Sequence, residues 1–129
     1  MITLIMGHPN AGKTTYSEQY ENVIHLDDYP FPKFLHCNEA VSEHSEDVVV
    51  EGIYNLRCRR EKLLEACSHH DRKVCIFLDI PSDECNKRDT RGHIAGFLIP
   101  PTYDEGWDEI ITIGQRSLPC LMSPKNSQF

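Results

Sequence analysis

The sequence predicts an α/β fold in which a mainly parallel sheet lies between two layers of helices. Three observations predict it. Short apolar runs alternate with segments of helical character along most of the chain. The run DVVVEGIY (47–54) has the three-valine core of a strand buried on both faces. The first apolar run passes straight into a glycine-bearing loop and then into residues that can be helical.

The elements follow in order. ITLIM (2–6) reads as a buried strand, and KTTYSEQYE (13–21) as a helix of weak periodicity. VIHL (23–26) is a second short strand, ended by Asp27-Asp28. From Tyr29 to Asp47 the pattern gives no assignment, although Pro30 and Pro32 exclude an uninterrupted helix there. DVVVEGIY is the third strand. NLRCRREKLLEAC (55–67) follows as a helix with Leu56, Leu63, Leu64 and Cys67 on one face. KVCIFLDI (73–80) is the clearest strand. PSDECNKRDTR (81–91) begins a helix, with Ser82 as its cap and Asp83 and Glu84 in the first turn. GHIAGFLIPPTYDEGW (92–107) is irregular, and DEIITI (108–113) is the last strand. One domain over 1–113 and a mobile tail over 114–129 are expected.

Composition narrows the function classes. A net charge of -7 disfavours long polyanions unless a local basic patch receives them. Six cysteines are scattered without a CxxC pair. The start of the chain lacks a basic stretch, and its apolar run is broken at once by Gly7, His8, Pro9 and Asn10. A cytoplasmic protein with reduced cysteines is therefore expected, with no membrane partner. His36-Cys37 and Cys67-Ser68-His69-His70 fit no common zinc spacing, so no structural zinc is expected.

Gly7-His8-Pro9-Asn10-Ala11-Gly12-Lys13-Thr14 satisfies G-x-x-x-x-G-K-[ST] at every fixed position, with Thr15 directly after it. The chemistry accounts for each requirement. Gly7 and Gly12 let the backbone curl so that successive N–H groups point inward at an anion. Lys13 reaches the β- and γ-phosphates, and the Thr14 hydroxyl can ligate Mg²⁺. A helix N-terminus behind them adds its dipole. ATP or GTP, with Mg²⁺, is the ligand this implies, and the fold is expected to be of the P-loop NTPase three-layer type.

A phosphate cradle does not by itself distinguish a kinase from a nucleotide switch. A kinase needs a base for the acceptor hydroxyl and cations over the transferring group. Asp27-Asp28, at the end of the second strand, supply carboxylates. Arg88 and Arg91, three apart on a helical spacing with Lys87 beside them, supply cations. Glu51, at the end of the third strand, could hold a metal-bound water or position the attacking group.

Together GHPNAGKTT, LDDY, CNKRDTRG and the segment PPTYDEGWDEIITI resemble the kinase domains of the polynucleotide-kinase-like P-loop family. That family is related to zeta-toxin-like and small-molecule kinases. The resemblance runs from Ile2 to about Ile113. It implies a sheet order of 2-3-1-4-5, Asp28 as general base with Asp27 beside it, and a lid ending at Arg91-Gly92. There are departures. Tyr29 is followed by Pro30-Phe31-Pro32-Lys33 instead of an early arginine, so a contact to an acceptor phosphate falls to Lys33 or is absent. The third strand ends in EGIYN, which leaves Glu51 and Asn55 with less defined roles.

The expected activity is transfer of the ATP γ-phosphate to a hydroxyl of a nucleic-acid end, a modified base or a nucleoside. The alternatives are a small-metabolite kinase and a nucleotide-binding regulatory domain with little turnover.

Overall fold

The computed structural model describes residues 1–89, 92 and 96–114. Among them, five strands form one sheet: β1 (Ile2–Gly7), β2 (Val23–His25), β3 (Val48–Gly52), β4 (Lys73–Asp79) and β5 (Glu109–Gly114). Four helices connect them: α1 (Lys13–Ser17), α2 (Lys33–Ser42), α3 (Arg57–Ala66) and α4 (Ser82–Lys87). Two 3-10 turns lie at Leu26–Asp28 and Tyr103–Glu105. All strand pairs are parallel, in the order β2-β3-β1-β4-β5. The α/β class and the 2-3-1-4-5 order are as expected.

The pleat of β1 divides the core. Ile2, Leu4 and Met6 point into one cluster, where Val48, Val50, Cys75 and Phe77 of neighbouring strands meet Cys37, Val41, Leu63 and Leu64 of α2 and α3. Ile5 points the other way, into a cluster with Ile76, Leu78, Ile113, Ala11 and the α4 residue Cys85. Two helical layers therefore sandwich the sheet, and β1 is its centre. Because β1 has β3 on one side and β4 on the other, the loop leaving it opens where the chain changes direction across the sheet. Open α/β sheets bind ligands at such a point.

Several element boundaries differ from expectation. The helix expected over 13–21 stops at Ser17, and tight turns from Glu18 N–H to Thr15 O (3.2 Å) and Tyr20 N–H to Ser17 O (3.0 Å) replace it. Its Thr, Tyr and Ser residues are weak helix formers, and Tyr16 and Tyr20 instead pack against the second cluster. Leu26, expected to end β2, drops into a 3-10 turn and is fully buried. The unassigned stretch contains α2, which starts after Pro32 and buries Cys37 and Val41 one turn apart. Ser82 is the first residue of α4 and not its cap. Pro81, with extended backbone, holds the cap position. On α3 the face of Leu63, Leu64 and Cys67 is buried as expected, but a charged residue, Arg60, is buried with it. The expected tail over 114–129 lies outside the described residues apart from Gly114, which ends β5.

No helix of the described residues is long and apolar enough to cross a membrane.

Candidate active site

The loop after β1 is shaped by its two glycines. A Cβ on Gly7 would sit 2.9 Å from the Leu78 carbonyl oxygen of β4, so only glycine lets the strands run this close before the loop opens. Gly12 has φ 97°, a left-handed conformation that side chains rarely adopt, and leads directly into α1. Between them Asn10 also takes a left-handed φ of 68°, which asparagine tolerates. Ala11 is buried in the second cluster and anchors the loop to the sheet.

The Lys13 ammonium donates to the His8 carbonyl at 2.8 Å, which folds the lysine back over the loop. Burial holds Lys13 below the usual lysine range, and the Glu51 and Asp27 carboxylates counter this only in part. His8 Nδ1 is buried without a hydrogen-bond partner among the described residues. Burial first, and then the Lys13 charge, hold the His8 imidazole below its ordinary range against the pull of Asp79.

A cavity of about 780 Å³ opens in front of this loop. Pro9, Asn10, Gly12, Lys13, Thr14 and Thr15 form its floor. The rest of its lining comes from Asp27, Lys33, Glu51, Ile53 and Arg88. Three cations and two carboxylates thus face one space. Lys33 Nζ donates to Asp27 Oδ1 at 2.7 Å. The imidazole of His25 bonds Glu51 Oε1 through Nδ1 at 2.7 Å. Arg88 donates from Nη1 to the Asn10 carbonyl at 3.4 Å and from Nε to Glu84 Oε2 at 3.3 Å.

Of the residues singled out from sequence, the cavity unites Pro9, Asn10, Gly12, Lys13, Thr14, Thr15, Asp27, Lys33, Glu51 and Arg88. Gly7, His8 and Ala11 support the loop from behind. Both aspartates are exposed; Asp27 lines the cavity and Asp28 does not. Arg88 is the residue that caps the C-terminal end of α4. Arg91 itself lies outside the described residues. Asn55 does not line the cavity; its Nδ2 donates to the Phe97 carbonyl at 2.9 Å and its own carbonyl accepts from Ile99 N–H at 2.9 Å, fastening residues 97–99 to the end of β3.

Sequence reasoning missed His25 and Ile53. His25 is visible only once β2 and β3 are in register, since it pairs directly with Glu51 across the two strands. Ile53 follows the EG of the third strand, and no local signal marks an apolar side chain there as facing a ligand.

The oxygen donors present suit a hard cation. Thr14 contributes a hydroxyl at the cavity floor and Glu51 a carboxylate at its wall. Among the described residues, no three His, Cys, Asp or Glu side chains converge to hold a metal by themselves. Such a set matches the way Mg²⁺ is commonly held, through one or two protein oxygens with the rest from phosphate and water.

No protein-family model and no curated protein matches the chain. Solved structures do. A gluconokinase from Sinorhizobium meliloti 1021 superposes with a TM-score of 0.60 at 17% identity, over 87% of this chain and 81% of that one. A sugar kinase from Janibacter sp. HTCC2649 gives a TM-score of 0.63 at 14% identity, over 98% and 95%. The APS kinase of Mycobacterium tuberculosis, solved with AMPPNP and APS, gives 0.58 at 17% identity, over 86% and 87%. With its parallel sheet ordered 2-3-1-4-5 and its phosphate-type loop at the centre, the chain has the fold of the P-loop kinases.

Proposed function

We propose that the chain is a kinase that transfers the γ-phosphate of ATP, or of GTP, to a hydroxyl group of a small metabolite. One observation carries this reading: a P-loop and an aspartate–lysine pair from the segment after β2 line the same cavity. A binding module would need the first and has no use for the second. The solved kinases that share the fold support a small acceptor over a polynucleotide, since their names describe a gluconokinase, a sugar kinase and an APS kinase. The net charge of -7 weighs the same way.

The residues divide into roles. Loop amides over 8–14 and the Lys13 ammonium hold the β- and γ-phosphates, and Arg88 steadies the charge that develops on the transferring group. Arg91 would assist from the lid. Mg²⁺, held by the Thr14 hydroxyl and by Glu51 directly or through water, would supply neutralisation of the triphosphate charge. Asp27, rather than Asp28, accepts the proton of the acceptor hydroxyl, because Asp27 is the aspartate in the cavity wall. The acceptor oxygen bonds to the γ-phosphorus as the bond to the bridging β,γ-oxygen breaks, leaving a phosphate ester and the nucleoside diphosphate. Lys33, beside Asp27, orients the acceptor.

The test is transfer from γ-labelled ATP with Mg²⁺ to gluconate, neutral sugars, nucleosides, a 5′-hydroxyl oligonucleotide and hydroxymethylated DNA. Lys13→Ala serves as the inactive control. Label is expected on a small acceptor. Asp27→Asn should lower transfer by about 10²-fold or more with nucleotide binding retained, while Asp28→Asn changes it only a few-fold. The reverse pattern would return the base to Asp28. Label on the oligonucleotide alone would favour a polynucleotide acceptor. Nucleotide binding without transfer to anything would favour a regulatory domain.

A further inference from the structure

Two opposite charges line the cavity without meeting. Lys13 and Glu51 both face it, yet no ion pair joins them among the described residues; Lys13 is held by the His8 carbonyl at 2.8 Å and Glu51 by His25 Nδ1 at 2.7 Å. The other two cations are engaged elsewhere, Lys33 with Asp27 and Arg88 with Glu84 and the Asn10 carbonyl. The Glu51 side chain is only 8% exposed, so water does little to screen it. In such a place attraction to an ammonium is much stronger than at the surface.

His25 is built to oppose that attraction. It lies on β2, the strand at the sheet edge, and is the direct register partner of Glu51 on β3. The hydrogen bond from its ring therefore comes from the side of the sheet away from β1, whose following loop leads to Lys13. It supplies the carboxylate with a donor that is not the lysine.

We propose that His25 is a positioning residue that holds the Glu51 carboxylate away from Lys13 and so keeps the lysine available for nucleotide phosphates. The inference rests on the reading of the loop as a phosphate cradle. Loss of the imidazole donor leaves a buried carboxylate short of a partner. Glu51 then turns to Lys13, and the resulting ion pair competes with every phosphate that enters. A side chain with a donor at the same place, such as a glutamine amide, restores the arrangement in part.

The experiment is ADP binding by titration calorimetry, without Mg²⁺, so that any metal role of Glu51 is set aside. His25→Phe keeps the ring volume and removes the donor. It is expected to weaken ADP binding about ten-fold, and His25→Gln about two-fold. In the Glu51→Gln background, His25→Phe should change affinity by less than about two-fold, because no carboxylate remains to compete. An equal loss in both backgrounds would overturn the proposal and leave His25 a structural residue. A second readout needs no nucleotide. In a crystal structure of His25→Phe without nucleotide, a Glu51 carboxylate oxygen should lie within ion-pair distance of Lys13 Nζ, and in the double variant no such contact should form. A Glu51 side chain that stays clear of Lys13 in His25→Phe would also overturn the proposal. If the wild type shows no affinity for ADP while this contact forms as expected in His25→Phe, the cradle reading fails and the His25 restraint stands.

Discussion

At Gly7 a hydrogen atom occupies the place where a methyl group would press against the backbone of β4, 2.9 Å from the Leu78 oxygen and 3.3 Å from the Ala11 Cβ. The oxygen belongs to a hydrogen-bonded strand and cannot retreat. Gly7→Ala is therefore expected to cost about 1–3 kcal/mol of stability, measured by urea denaturation, and to weaken nucleotide binding by displacing the loop. Tyr54 is a different kind of special residue. Its φ of 29° is unusual for a bulky side chain, but the surroundings hold it: its hydroxyl donates to Asn38 Oδ1 at 2.9 Å and its carbonyl accepts from Arg60 Nη1 at 2.9 Å. The glycines were legible from sequence because a backbone requirement leaves a mark on residue type. Tyr54 was not, because the partners that hold it, Asn38 and Arg60, reach it only through the packing of α2 and α3.

Among the elements, α3 departs furthest from its sequence pattern. Its buried face carries Arg60, whose guanidinium meets Glu105 of the Tyr103–Glu105 turn at 2.8 Å through both Nε and Nη2. Trp107 Nε1 donates to the same carboxylate at 3.0 Å, and Arg60 also donates to the Tyr54 carbonyl. The pair thus ties α3, the end of β3 and the approach to β5 into one unit. Burial alone would raise the Glu105 carboxyl, but the bonds from Arg60 and Trp107 outweigh it and hold the group below its ordinary value of 4.5. Since the folded value is depressed, the pair stabilises the fold fully above the unfolded value and loses this as pH falls through the folded one. Glu105→Gln should lower stability by about 3–5 kcal/mol at neutral pH, and the gap to the wild type should narrow only in acid below about pH 4.5. Replacing both partners, as Arg60→Met with Glu105→Leu, is expected to recover most of the loss. Thermal melts over a pH series read both. Apolar spacing showed where α3 lies and which leucines it buries. The acid that admits an arginine to that face comes from a turn far along the chain, and no local pattern could reveal it.

At the scale of the whole molecule, the cysteines among the described residues report on both helical layers. Cys37, Cys67 and Cys75 lie in one core cluster and Cys85 in the other, while Cys58 is exposed. Burial pushes all four buried thiols up, Cys67 to about 11, so few thiolates form at neutral pH. A thiol reagent followed by peptide mapping should label Cys58 at once. Labelling of Cys37, Cys67, Cys75 and Cys85 should follow the rate of global unfolding, with nearly equal rates on the two faces of the sheet. Faster labelling of Cys85 alone would mean that the layer carrying α4 opens independently.

By itself the sequence determined the alternation that makes a parallel α/β sheet and the spacing of the phosphate-type loop. Both are local, since strand burial and backbone curl leave their requirements on neighbouring residues. The tertiary structure decided which of two adjacent aspartates lines the cavity, which basic residue is buried on α3 and which histidine bonds Glu51. Each depends on strand register or on a turn that brings remote side chains together. The chain encodes such contacts only through the whole fold, because their energy comes from partners that are neighbours in space and not in sequence.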